Sequence, residues 1–303
     1  MLTDALDTYL AVRRAAGFDL VDAERHLRSF VRFACAQGDT FVVASTAIAW
    51  AGNGKSEPQR ANRLKMVIRF ARFSHAADTR HEVPPQGVFC NQRHRPTPYL
   101  YTEEEIRALI AQASRLGPAG TLRGQTYSTL IGLLAATGLR VSEALRLRFE
   151  DVTADGLVIR EAKFHKSRLV PIHSTTLAAL ERYLLERRQI IVDDDHLFLT
   201  TQLRPLSLDA VYPIFHRLLV SCGLPRQAGQ SRPRLIDFRH TFASNALLAC
   251  PNARDHVGSH MLALMTYLGH ALPSSTYWYL ESSPQLREDI SDVCEHLFEE
   301  YTP

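Results

Sequence analysis

No run of the chain approaches the roughly 18 uninterrupted apolar residues that a membrane-spanning helix needs, so no span is expected. The opening stretch "MLTDALDTYLAVRRAAGF" carries acids where a secretion signal has a basic region, and polar residues where it has an apolar one. No secretion signal is expected from it. Cysteine is scarce: Cys35, Cys90, Cys222, Cys250 and Cys294 are scattered with no CxxC spacing. An odd, unpatterned set excludes a disulfide framework and suits reduced, structural thiols in a cytoplasm. Internal repeats and low-complexity segments are absent. "GNGKS" at 52–56 lacks the GxxxxGK[ST] spacing and a preceding strand, so it reads as a turn and helix cap rather than a phosphate loop. His256 and His260 are four apart beside Asp255, but the glutamate of HExxH and an evident third ligand are missing. No metal site is expected there; a solvated loop and helix start is.

What is present is enough for two domains: 303 residues, 46% of them hydrophobic, exceed one ordinary compact domain and can build real cores. The net charge of +3 says little by itself, and its distribution says more. Lys65, Arg69 and Arg72 fall at i, i+4 and i+7 of a helical pattern, just after Arg60 and Arg63, whereas the segment after Tyr279 is rich in Glu and Asp. A basic face on one domain is what a phosphate backbone requires, although most such stripes are solvated faces.

From Leu2 to about Asp78 the apolar residues recur at helical spacing, giving "LTDALDTYLAVRRAAG", "DAERHLRSFVRFACAQG", a shorter "STAIAWAG" and "SEPQRANRLKMVIRFARFSHAAD". Asp22 and Ser56 are the expected N-caps, Gly17 and Gly38 the stops. A helical domain over 1–82 is expected, then a linker over 83–100, where "HEVPPQGVFCNQRHRPTPYL" is rich in proline and has no apolar period. The second domain, 101–303, restarts at Thr102, whose partner Glu105 completes a capping-box signature. Two helices broken at Thr137-Gly138 follow, and then "GLVIREAKFHKSRLVPIH" changes period to that of a hairpin or small edge sheet. Everything beyond it reads as helical. The fold class is therefore mainly α with a small antiparallel β-sheet.

Four places carry chemistry. Arg140, in "ATGLRVSEALRLRFEDV", opens a helix directly after a glycine break, where backbone N–H groups and a guanidinium can meet one anion; Glu143, one turn on, could brace it. A surface Arg–Glu pair is the plainer reading of that stretch alone. Lys163, with Lys166 as its rival, sits in the basic turn of the hairpin and can give up a proton into a cleft. Arg239 and His240 head the amphipathic helix of "RLIDFRHTFASNALL", and a second arginine aimed where Arg140 points would clamp a phosphate diester. Finally, in "LGHALPSSTYWYL", His270 follows a helix-ending glycine and precedes Tyr277 and Tyr279. Residues two apart on a helix differ by about 200°, so the two tyrosines cannot both face one cleft.

In this order, Arg140 in "TGLRVSE", Lys163 in a hairpin, Arg239 in "DFRHTFA", His270 in "LGH" and a tyrosine nine residues later, the chain resembles the tyrosine recombinase (phage integrase) family over about residues 100–290. The resemblance implies a helical core-binding domain that clamps duplex DNA together with a mixed α/β catalytic domain. It implies Tyr279 as nucleophile, with Tyr277 and Trp278 in support. Attack on a phosphodiester would form a 3′-phosphotyrosyl link and free a 5′-hydroxyl; Arg140 and Arg239 would bind the non-bridging oxygens, Lys163 would protonate the leaving oxygen, and His270 would donate to the phosphate. Glu143 would support the pocket. Neither ATP nor metal is required, because the bond energy stays in the covalent intermediate and side chains balance the charge. Recombination sites in duplex DNA are the implied partner, with four protomers on the synapsed DNA, either all copies of this chain or this chain together with sister recombinases. The stripe Leu286, Ile290, Val293 and Leu297 fits a terminal helix packing on its own domain or on a neighbouring protomer.

One position departs from the family. Three residues before Arg239 the family has a histidine; here stands Ile236, which can neither take a proton nor donate to a phosphate. Asp237, His240 or a water must substitute, or catalysis is slower. The expected function is a site-specific, transposase-like recombinase or integrase of a mobile element. The alternatives are a catalytically weak accessory subunit and a type IB topoisomerase-like enzyme.

Overall fold

In the computed structural model the described residues are 1–90, 97–162, 166–224, 232–249 and 254–269. The chain divides into two compact units, Met1–Arg95 and Pro96–Pro303.

The first unit is four helices: α1 (Leu2–Ala15), α2 (Val21–Ala36), α3 (Ala44–Gly52) and α4 (Glu57–Ala77). Each turns one apolar stripe inward. Leu2, Leu6, Tyr9 and Leu10 of α1 meet Leu27, Phe30, Val31 and Ala34 of α2 and Leu64, Val67, Ile68 and Ala71 of α4, spacings that follow the 3.6-residue turn. Burying each large side chain contributes about 1.5–3 kcal/mol, and that burial, rather than propensity, holds these helices. Asp22 is not the cap of α2: Leu20 holds that position and Asp22 lies within the first turn, where its charge complements the helix dipole. Ser56 does stand at the N-cap of α4, but without a side-chain cap hydrogen bond.

The end of the expected helical domain, His81 and Glu82, and the first part of the expected linker, residues 83–90, lie against this bundle. His81 is buried and its Nδ1 accepts the Val42 N–H at 3.1 Å, and Glu82 Oε2 accepts the Ala44 N–H at 2.7 Å. The start of α3, whose N-cap Val43 has no side chain to offer its orphan N–H groups, is thus satisfied from downstream. Val83 and Phe89 pack on the same core.

In the second unit, α5 (Glu103–Ser114) begins with the expected box: Thr102 Oγ1 accepts the Glu105 N–H at 3.2 Å and Glu105 Oε2 accepts the Thr102 N–H at 2.9 Å. Then follow α6 (Arg123–Thr137), the short α7 (Val141–Leu145), a 3-10 turn (Phe149–Asp151) and three strands, β1 (Val152–Thr153), β2 (Gly156–Ala162) and β3 (Lys166–Val170). They form one antiparallel sheet in the order β1-β2-β3, with Leu157 opposite Val170 and Ile159 opposite Arg168. The mainly helical fold with one small antiparallel sheet is as expected; the two-residue β1 was not.

Four helices complete the described residues: α8 (Ser174–Arg188), α9 (Leu208–Ser221), α10 (Asp237–Leu248) and α11 (Arg254–Leu268). The whole stretch from α8 to α9 is not helical, contrary to the sequence reading. It carries two isolated bridges, Arg148 with His196 and Leu199 with Pro205, and is anchored by Arg187, whose buried guanidinium donates to the carbonyls of Asp194 and His196. His256 and His260 both lie within α11 rather than in a loop, and His260 Nε2 is 2.7 Å from the Ala246 carbonyl. The main core joins Leu109, Leu130 and Leu134 to Leu157, Ile159, Val170, Leu184, Phe198, Phe215 and Phe238. A smaller one, with Ala243, Leu247, Met261, Leu264 and Leu268, fastens α11 to α10. Among the described residues no helix is long and apolar enough to cross a membrane.

Candidate active site

Gly138 ends α6 in the left-handed region at φ 59°, and Phe242 lies so near that a Cβ here would meet its ring at 2.7 Å. Only glycine satisfies both demands. The chain passes through buried Leu139 to Arg140, which occupies the N-cap position of α7. The Arg140 backbone N–H donates to Glu143 Oε2 at 3.1 Å and its Nη1 donates to Glu143 Oε1 at 2.7 Å. The two groups differ in exposure: the Arg140 side chain is 31% exposed, that of Glu143 only 8%. The arginine can therefore reach an outside anion while its brace stays inside.

Arg239 sits in the first turn of α10 and is 3% exposed. Its Nη1 donates to the Gly138 carbonyl at 3.0 Å and its Nη2 to the Leu268 carbonyl at 2.5 Å. One guanidinium thus joins the turn that leads into Arg140 to the end of α11, two residues ahead of His270. Leu268 is followed by Gly269 at φ 66°, the helix stop expected before His270.

Around Arg239 the neighbours sort themselves. Asp237 is fully buried and holds Arg234 through both carboxylate oxygens. Burial pushes its carboxyl above the usual range, and the Arg234 hydrogen bonds and charge offset only part of that. Ile236 caps α10 and is half-buried; His240 lies one turn after it, with Nε2 3.9 Å from Asp237 Oδ1. Lys163, His270, Tyr277, Trp278 and Tyr279 lie outside the described residues, as do Leu286, Ile290, Val293 and Leu297, and so does the side chain of Lys166.

A residue absent from the sequence reading belongs to this cluster. Arg168 of β3, 12% exposed, donates from Nη2 to Glu143 Oε2 at 2.9 Å and from Nη1 to Oε1 at 3.2 Å. Burial alone would raise the Glu143 carboxyl, but the hydrogen bonds and charge of Arg168, backed by Arg140, hold it below its ordinary range. The signal was in the strand register: Arg168 shares a face with Val170, which is fully buried.

In the first unit, Lys65, Arg69 and Arg72 are all exposed on one face of α4. Arg60 and Arg63 are engaged elsewhere: Arg60 donates to the Gly54 carbonyl and to Glu57, and Arg63 lies 4.1 Å over the Trp50 ring.

Residues 100–285 match the model of the phage integrase family. The chain belongs to that family, the tyrosine recombinases. The matched span contains Arg140, Lys163, Arg239, His270 and Tyr279. The chain is 37% identical, over 98% of its length and 98% of the other's, to "Putative integrase/recombinase y4rB" of Sinorhizobium fredii, and 30% identical to tyrosine recombinase XerD of Caulobacter vibrioides, over 91% of this chain and 90% of that one. Among solved structures, the Tn1549 transposon integrase in complex with transposon right end DNA superposes with a TM-score of 0.64 over 91% of this chain and 94% of that chain, at 18% identity. XerH recombinase in a post-cleavage complex with its difH substrate gives 0.59 over 83% and 71%, at 20% identity. These two likenesses establish a tyrosine recombinase fold.

Proposed function

We propose that this chain is a site-specific recombinase that cuts and rejoins duplex DNA through Tyr279. In the step proposed, the Tyr279 oxygen bonds to a backbone phosphorus and passes its proton to His240, Asp237 or a water, while the bond to the 5′-oxygen breaks and Lys163 supplies that oxygen with a proton. A 5′-hydroxyl of a second strand then reverses the step, so the number of phosphoester bonds is unchanged and no external energy source is consumed. Arg140 and Arg239 balance the charge of the non-bridging oxygens, which in a site closed to water lowers the barrier more than it strengthens binding. His270 donates to the same phosphate.

The observation that carries this reading is the convergence of Arg140, its buried brace Glu143, Arg239 and the end of the helix before His270, in a chain of this family. Duplex recombination sites are the partner, met in part by the exposed stripe of Lys65, Arg69 and Arg72, and with Lys166 near the cleaved strand. Assembly as four protomers on paired sites, residence in the cytoplasm and service to a mobile element complete the proposal. Ile236 favours one other reading, a slow accessory subunit working beside a sister recombinase. A nicked duplex that traps the covalent intermediate separates the two. Attachment by this chain alone, followed by exchange between two sites, supports the recombinase; binding without attachment supports the accessory subunit.

A further inference from the structure

We propose that Arg168 is a positioning residue for strand cleavage, tying Glu143, and through it Arg140, to the end of the helix that leads to His270. This rests on the reading of Arg140 and His270 as groups acting on the phosphate. Arg168 makes three described hydrogen bonds. Two run from Nη1 and Nη2 to the Glu143 carboxylate, and the third from Nε to the Tyr267 carbonyl at 2.9 Å. Glu143 in turn takes two donors on each oxygen: Oε1 accepts from the Nη1 atoms of Arg140 and Arg168, and Oε2 accepts from the Arg140 backbone N–H and Arg168 Nη2. All the ordinary acceptor positions of a carboxylate are then filled, and it has no second orientation to adopt. A forked pair fixes direction as well as distance.

Three separate elements meet at this one guanidinium. Arg168 stands on the strand that follows the hairpin turn bearing Lys163; Glu143 stands on α7 with Arg140; and Tyr267 is in the last turn of α11. The space is built for it. Gly269, already in the left-handed region at φ 66°, would place a Cβ 2.9 Å from Arg168 Nη1, so any larger residue there displaces the guanidinium or the helix end. Lysine is not equivalent, since a single ammonium cannot satisfy the carboxylate fork and the carbonyl together. Displacing a reacting group by about 1 Å is enough to cost about 10²-fold in rate.

The test uses the full chain and a nicked duplex bearing the site that the wild-type chain captures covalently from a randomised duplex library. Cleavage is compared on that duplex and on one with a methylphosphonate at the scissile position, in which a methyl group replaces one charged non-bridging oxygen. Arg168→Ala is expected to bind the site as wild type does, to cleave the ordinary duplex about 10²-fold more slowly, and to regain the wild-type rate on the neutral methylphosphonate. There the charge that Arg140 balances is gone, so Arg140→Ala must be rescued by the same diastereomer. The double variant Arg168→Ala/Glu143→Gln is expected to be no slower than the worse single variant, because both changes break one chain of hydrogen bonds. If Arg168→Ala does not fold, as judged by near-ultraviolet circular dichroism, Arg168→Lys is read on the same two duplexes. An unchanged rate, or a loss that the methylphosphonate does not restore, overturns the proposal. A wild-type chain that forms no adduct at all defeats instead the recombinase reading on which it rests.

Discussion

Ile236 stands where the family places a histidine, and the structure narrows which residue could take over. Asp237 is committed to Arg234 through both oxygens and fully buried, whereas His240 lies one turn along α10 from Ile236 on the same face. On one trapping duplex His240→Ala is expected to slow cleavage more than Asp237→Asn does, since only an imidazole titrates near neutral pH, while Asp237→Asn shows mainly as lost stability. Ile236→His is expected to raise the rate by adding a second acid–base group beside His240; a wild-type chain that already cleaves well and an Ile236→His variant that is slower would mean that His240 or Asp237 carries the role fully and the added ring only disturbs the packing. The two proposed clamp arginines can be tested on the same duplex. Both Arg140→Ala and Arg239→Ala are expected to lose about 10²–10³-fold in cleavage. Arg239→Ala should also lose about 1–3 kcal/mol in urea unfolding, because it leaves the buried Gly138 and Leu268 carbonyls without this donor. Wild-type stability in Arg239→Ala would mean that Arg239 is not a structural tie.

The basic stripe of α4 and the strap of residues 81–90 each make a prediction at the scale of an element. Reversing the charges of Lys65, Arg69 and Arg72 is expected to flatten the dependence of log affinity on log salt by about 0.9 for each phosphate no longer neutralised, roughly three in all; an unchanged slope leaves the stripe a solvated face. The strap depends on an uncharged His81, whose Nδ1 accepts the Val42 N–H and whose pKa is lowered below its ordinary 6.5, burial being the main cause. Its contribution is present above that value and lost as pH falls through the lowered one, because the unfolded chain then binds the extra proton. Thermal unfolding at pH 7 and pH 5 should therefore show a drop that shrinks in His81→Asn, whose amide oxygen can accept the same N–H without titrating. Elements like these differ in how far the sequence discloses them. The Thr102–Glu105 box, the Gly138 stop and the hairpin were readable because each is local: a side chain reaching three residues away, a φ that only glycine adopts easily, a change of period. The strap, the buried Arg187 and the role of Arg168 were not. Each is decided by a partner far along the chain, and an arginine in an amphipathic helix or short strand reads as solvated until that partner is in place.

At the scale of the whole molecule, family membership, the mainly helical fold with its small sheet, and the meeting of the Arg140 turn with Arg239 and the end of α11 agree with one another and with the order of motifs in the sequence. That order was legible because a chemistry needing two arginines, a lysine, a histidine and a tyrosine leaves each in a short stretch of distinctive neighbours. What the order could not convey is the mutual bracing, since Glu143 and Arg168 are 25 residues apart and meet only through the sheet. The central claim is that this chain breaks DNA with the oxygen of Tyr279, and peptide mapping of the covalent adduct formed on the nicked duplex tests it most directly. The result expected is a nucleotide-bearing peptide modified at Tyr279, lost in Tyr279→Phe while DNA binding persists, and kept in Tyr277→Phe. An adduct on Tyr277, or one that survives Tyr279→Phe, would contradict the account.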